Sequence, residues 1–246
     1  MKFNWHIWAL CFYVGMLSCN SPNSPDCFKS AGNPGIEERQ VAGEITEIEL
    51  NDLIDLVLSD RGDGLIQLEG PENLLQDVST SFENGRLTIQ NNNTCNFVRR
   101  FDHRIKVEVS SLNLERLDYW GQGNVSSQDT IRGERLVFES KHGSGDVDMS
   151  LDLDTLKVFI HAGVAGINLN GNASWFEAFH QGYGLFDASD LNCNLVLCQS
   201  NSINNMHLQV QDYLLAILQS KGNIFYSGAP DEIDLVRNGT GQLYSE

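Results

Sequence analysis

The sequence predicts an all-β fold, a solenoid of stacked parallel rungs entered through N-terminal capping strands. Three observations predict it. A small–x–small turn returns seven times: Gly121-Gln-Gly123, Gly143-Ser-Gly145, Gly163-Val-Ala165, Gly182-Tyr-Gly184, Ser202-Ile-Asn204, Ser220-Lys-Gly222 and Gly239-Thr-Gly241. Their third residues lie 22, 20, 19, 20, 18 and 19 apart. Two positions beyond each third residue stands an apolar side chain: Val125, Val147, Ile167, Phe186, Met206, Ile224 and Leu243. A period near ~20 residues with a fixed corner is the mark of a solenoid. An antiparallel sandwich also has short strands and frequent turns, but it does not require a matched corner in every unit.

Residues 1–18 read as a lipoprotein signal peptide. Lys2 supplies a positive start and Ile7–Leu17 is an apolar run of 11 residues. That is short of the ~20 needed to span a bilayer. The run ends in Met16-Leu17-Ser18-Cys19, which resembles a lipobox, so Cys19 is the expected acylated first residue of the mature chain. An ordinary signal peptide with an incidental cysteine is the alternative. Residues 19–42, rich in Pro, Ser, Asn and Gly, read as a lipidated tether. Cleavage removes Lys2 and no acid, moving the formal charge from −17 to −18. Such a balance excludes nucleic acid as a partner, because backbone binding needs clustered Lys and Arg.

Residues 43–110 are strand-like without the repeat and are expected to cap the solenoid. Ile54-Asp-Leu56-Val-Leu58 and Ile105-Lys-Val107-Glu-Val109 alternate, and Asp63-Gly64 and Asn84-Gly85 are turn signals. A cap is expected because an open end rung offers unpaired backbone groups. Residues 111–246 hold the rungs. Leu136 and Phe138; Leu156, Val158 and Ile160; Leu195 and Leu197; and Tyr213, Leu215 and Ile217 share one phase when counted back from the corners. That phase assigns all of them to the interior, with Met149, Leu169, Leu208 and Tyr226 continuing a second strand after each corner.

These residues resemble the auto-transporter adhesin "head GIN" domain family in its lipoprotein form, from about Ile45 to the C-terminus. The resemblance rests on Glu72-Asn-Leu-Leu75, Asn84-Gly-Arg-Leu-Thr-Ile89, Thr94-Cys-Asn-Phe-Val-Arg99, the recurrent Gly-x-Gly turns, and Gly222-Asn-Ile-Phe-Tyr226 before Gly228-Ala-Pro230. It implies a single-stranded right-handed parallel β-helix and a head GIN-like domain over 43–246. It carries over no catalytic residue. Ala165, Ser202, Asn204 and Ser220 depart from glycine at the corners.

Candidate chemistry is sparse. His161 and His180 each lie four residues before a corner's third residue, whereas His142 is one position out of phase. With Tyr119 and Trp120 they form a possible ligand-contact ladder for a sugar ring or a metal; a stacked polar ladder is the plainer alternative. No metal site is assigned, since zinc wants three or four convergent ligands. Asp146 and Asp148 share a face and could meet the carboxyl separation of an inverting glycosidase, but with 33 acids in the chain such pairs arise by chance. No nucleophile elbow, phosphate loop, dinucleotide fingerprint or zinc-protease motif occurs, and no cofactor is implied.

Of the remaining cysteines, Cys27 and Cys95 form a possible disulfide that would close a long loop, worth about 4 kcal/mol on the chain-entropy view. Cys193 and Cys198 could pair only around a bend, could be two buried thiols, or could bind metal. The expected function is a non-catalytic, adhesin-like protein of the bacterial cell envelope. It would be held to the membrane by its lipid and would display a surface to an envelope or surface protein or a glycan. A polysaccharide-active β-helix enzyme and a structural envelope component are the alternatives.

Overall fold

In the computed structural model, residues 30–94 and 104–246 are described. Cys19, Cys27 and Cys95 lie outside the described residues, as do the signal peptide and residues 19–29 of the tether. The repeat region is set by four long strands: β11 (Val147–Ile160), β12 (Ile167–His180), β13 (Phe186–Ser200) and β14 (Met206–Leu218). They pair in parallel, each rung directly on the next, so alternation places the same positions inside in every rung. The chain forms a parallel β-solenoid of about six turns.

The long strands each turn from one wall of the rung to the other. β13 reverses parity twice, between Ala188 and Leu191 and between Cys193 and Val196, and β14 keeps one parity throughout. In β11, Val147, Met149, Leu151 and Leu153 are buried, then Asp154 and Thr155 are not, then Leu156, Val158 and Ile160 are. The bend therefore uses one residue and reverses the parity. It divides the rung into a back wall (the 147–153 limb) and a front wall (the 155–160 limb). The glycine corner then returns the chain from front to back. Val125, Val147, Ile167, Phe186, Met206, Ile224 and Leu243 stack in direct register across the rungs. The first six of these are buried, as the period predicts.

The corners need small residues because successive backbones nearly touch. A Cβ on Gly145 would overlap Gly123 O, and one on Gly184 would overlap Ala165 O. The departures from glycine are absorbed locally. Ala165 keeps only a buried methyl, Ser202 Oγ donates to Gly182 O at 2.7 Å, and Asn204 Nδ2 donates to Tyr183 O.

The N-terminal strands do not stack in chain order. On the front wall the sequence is β6 (Arg86–Asn91), β2 (Glu47–Leu50), β8 (Arg116–Tyr119), β10 (Ile131–Ser140), then β11 to β14 and β16 (Glu232–Arg237). The back wall runs β7 (Lys106–Ser110), β3 (Asp55–Ser59), β9 (Val125–Ser127), then β11 to β14, β15 (Ile224–Ser227) and β17 (Leu243–Ser245). The segment expected to be cap thus supplies two parallel rungs. Strands β5 (Val78–Glu83), β4 (Leu65–Pro71) and β1 (Pro34–Gln40) add on antiparallel beyond them, with the short helix α1 (Glu72–Leu75) between β4 and β5.

One phase expectation is corrected. Leu195, Leu197, Tyr213, Leu215 and Ile217 face outward, and Val196, Cys198, Leu214, Ala216 and Leu218 fill the interior instead. The cause is corner length. From the last interior residue to the corner's third residue is five positions after Ser140 and Ile160, but four after Tyr119, His180, Ser200 and Leu218. Counting back a fixed distance slips by one, and a slip of one turns every side chain over.

Candidate functional site: an apolar groove on the front wall

The same slip dissolves the expected ligand-contact ladder. Tyr119 and His180 are fully buried, whereas Trp120 is 38% exposed and His161 lies on the surface. His180 pairs in register with Ile160 and Ser200, not with His161. Tyr119 is a pin between corners: its hydroxyl donates to Gly123 O at 2.6 Å and accepts from Gly145 N at 2.8 Å. Burial raises its pKa, so the phenol stays protonated. His180 packs on Phe186 with ring centroids 5.4 Å apart, and burial lowers its pKa to about 4. Trp120 carries the Lys141 ammonium 4.6 Å over its ring and lies 6.1 Å from His142.

Cys193 and Cys198 are buried free thiols, one on each side of the bend in β13. The parity reversal turns both inward despite their odd spacing. Burial pushes both thiols up to about 12, which leaves them unreactive near neutrality. Asp146 and Asp148 lie exposed around the start of β11, and Asn168 Nδ2 donates to Asp148 at 3.3 Å. Among the described residues no group of three or more His, Cys, Asp or Glu side chains could hold a metal ion. No described helix is long and apolar enough to cross a membrane.

What the outer front wall does build is a groove of about 320 Å³ across β11 to β14. Its floor is Phe159, Phe179, Leu197, Leu215 and Ile217, each half-buried, with His161 at one rim. His161 Nε2 lies 3.1 Å from Glu139, which also pairs with Arg116, and Lys157 pairs with Glu177. The floor is apolar and offers few hydrogen-bonding groups. It can desolvate an apolar surface. Sequence reasoning missed it because it placed three of these leucines and isoleucines inside. The usable signal is that β13 and β14 are apolar on both faces, with Leu195-Val-Leu-Cys198 and Tyr213-Leu-Leu-Ala-Ile-Leu218 unbroken.

A second depression, of about 340 Å³, lies at the N-terminal end among Glu47, Ser81, Glu83, Asn84, Arg86 and Thr88. Arg86 there joins Glu47, Glu49 and Asp118, so its polar groups are already occupied.

Fold and surface together define a parallel β-solenoid with an apolar groove on its front wall. The chain belongs to the family described as "Putative auto-transporter adhesin, head GIN domain", whose sequence profile matches residues 44–230. Three solved structures share the fold. A putative adhesin from Bacteroides fragilis is 21% identical with a TM-score of 0.78, covering 87% of this chain and 97% of its own. A putative adhesin from Parabacteroides distasonis is 20% identical with a TM-score of 0.67, covering 87% and 98%. A putative lipid binding protein from Parabacteroides distasonis is 19% identical with a TM-score of 0.62, covering 87% and 97%. Among curated proteins no match was found.

Proposed function

We propose that this chain is a non-catalytic binding protein of the cell envelope, anchored through Cys19, whose partner seats in the groove on the outer front wall. The observation that carries it is the run of outward apolar side chains from Phe159 to Ile217 on four successive rungs, where solvent-facing positions would ordinarily be polar. A rigid parallel ladder holds such a face without reorganising, which limits the entropy lost on contact. The apolar floor favours a protein with its own apolar face over a glycan, whose hydroxyls would need partners the floor lacks. The acyl group on Cys19 would keep the chain at a membrane while leaving the groove free.

The test is crosslinking and co-purification from native membranes, comparing the wild type with Leu197→Gln/Ile217→Gln. A protein captured by the wild type and lost from the variant, with melting retained, supports the reading. Equal capture by both removes the groove from it. Glycan binding without product release would make the partner a sugar, and release of reducing ends from a polysaccharide would make the chain an enzyme.

A further inference from the structure

The corner side of the solenoid differs in charge from the rest of the molecule. The chain carries 33 acids and a formal charge of −17. Yet the seven corner segments, 120–124, 141–145, 161–165, 181–185, 201–205, 219–223 and 238–242, contain no Asp or Glu. They contain Lys141, Lys221, His142 and His161. Asp146 stands in the same stacked row as Gly166 and Leu185 and is the one acid there, while Asp187 lies just past its corner on the back wall.

Along the strip of corners the middle residues of three consecutive turns are large, apolar and outward: Val164 is 57% exposed, Tyr183 64% and Ile203 58%. Leu185 beside them is 71% exposed. These side chains stand on successive rungs, since Val164 N donates to Gly143 O and Tyr183 N to Gly163 O. They form a convex ridge parallel to the solenoid axis. Trp120, with Lys141 over its ring, lies farther along the same strip. The corners beneath are held by stacked backbones, so the ridge cannot fold back into the core.

We infer that this ridge is a membrane-contact edge, inserting Val164, Tyr183, Leu185 and Ile203 into the headgroup region of a phospholipid bilayer. A convex row of aliphatic tips gives little area to a flat protein partner, whereas a bilayer closes around it. Tyrosine, tryptophan and lysine beside aliphatic tips suit the membrane interface, where one end of the side chain is apolar and the other wet. Charge favours the same orientation: the corner segments carry Lys141 and Lys221 and fewer acids than the rest of the chain, so they repel anionic headgroups least. The solenoid would then lie lengthwise on the bilayer. The contact does not depend on acylation of Cys19.

Flotation with phosphatidylcholine vesicles, with and without phosphatidylglycerol, tests it on the full chain carrying Cys19→Ser. Tyr183→Glu/Leu185→Glu is expected to lower the bound fraction by about tenfold or more, from the loss of two inserted apolar side chains. Ile36→Glu, at an apolar site exposed on β1 away from the corners, should leave it unchanged. Oxidative footprinting of the wild type on vesicles should protect Tyr183 and Leu185 but not Ile36. Ile203→Gln supplies a milder variant should the double one fail to fold. Equal flotation of wild type and ridge variants, or unprotected Tyr183 on vesicles, overturns the inference. A ridge variant that changes the sedimentation of the free protein, and not vesicle binding, assigns the ridge to a second copy instead.

Discussion

On the front wall, β2, β6, β8 and β10 turn ionic side chains outward, whereas β12 to β14 turn apolar ones outward, over an interior packed alike in both halves. Arg86 gathers Glu47, Glu49 and Asp118, and Arg116 bridges Asp118 to Glu139. Phe179, Leu197, Leu215 and Ile217 occupy the equivalent outward positions farther along. The inward ladder Leu117, Phe138, Val158, Ala178, Cys198 and Ala216 passes beneath both without interruption. Alternation separates the two roles: inward positions make the solenoid, and outward positions are free to make a surface. The ionic half satisfies itself, and the apolar half leaves its contacts unmade.

The strongest test asks whether the two halves share one frame. Gly123→Ala, in the ionic half, would drive a methyl into Ile54 O, and Gly184→Ala, in the apolar half, into Ala165 O. Each should cost about 3 kcal/mol in urea unfolding. Unequal losses would mean that the corners are not equivalent supports.

Acid should separate the halves. His180, interior to the apolar half, has its pKa lowered by burial to about 4 from 6.5, so the unfolded chain takes up the proton first. Its contribution is intact above pH 6.5 and is lost as pH falls towards 4, by about 3 kcal/mol in all. His180→Leu should flatten that part of the stability profile. An unchanged slope between those pH values would place the sensitivity elsewhere.

Smaller effects belong to the outer surface. Arg86→Ala leaves three carboxylates facing one another and should cost about 1 kcal/mol at low salt, less at high salt, because exposed pairs are weak and screened. Leu197→Gln/Ile217→Gln should change stability by only about 0.5 kcal/mol while abolishing partner capture. A large loss of stability there would make the groove part of the fold rather than a face of it.

The period, the parallel stacking and the interior followers were legible because they depend on local geometry repeated at every rung. Val125 to Leu243 could be aligned without knowing any distant contact. The outward groove was not legible, because a fixed count back from the corner ignores that Ile160 sits five residues before Ala165 while His180 sits four before Gly184. That single difference moved Tyr119 and His180 inside, Leu197 and Ile217 outside, and parted His161 from His180. The place of β6 and β7 ahead of β2 and β3 was hidden for another reason: nothing in an unrepeated segment records which edge it will join.

That placement has a consequence for how the chain assembles. Between β11 and β14 each new rung meets a neighbour about one repeat back. Glu47, by contrast, waits for Arg86 on one side and Arg116 on the other, and Leu56 waits for Val125. During synthesis the first rung to emerge is among the last to have both edges closed, because it is held open until two later segments arrive. The repeats downstream can zip by short loops, and the slow event belongs to the N-terminal end. Refolding followed by pulsed hydrogen exchange would see the amides of β12 and β13 protected before those of β2.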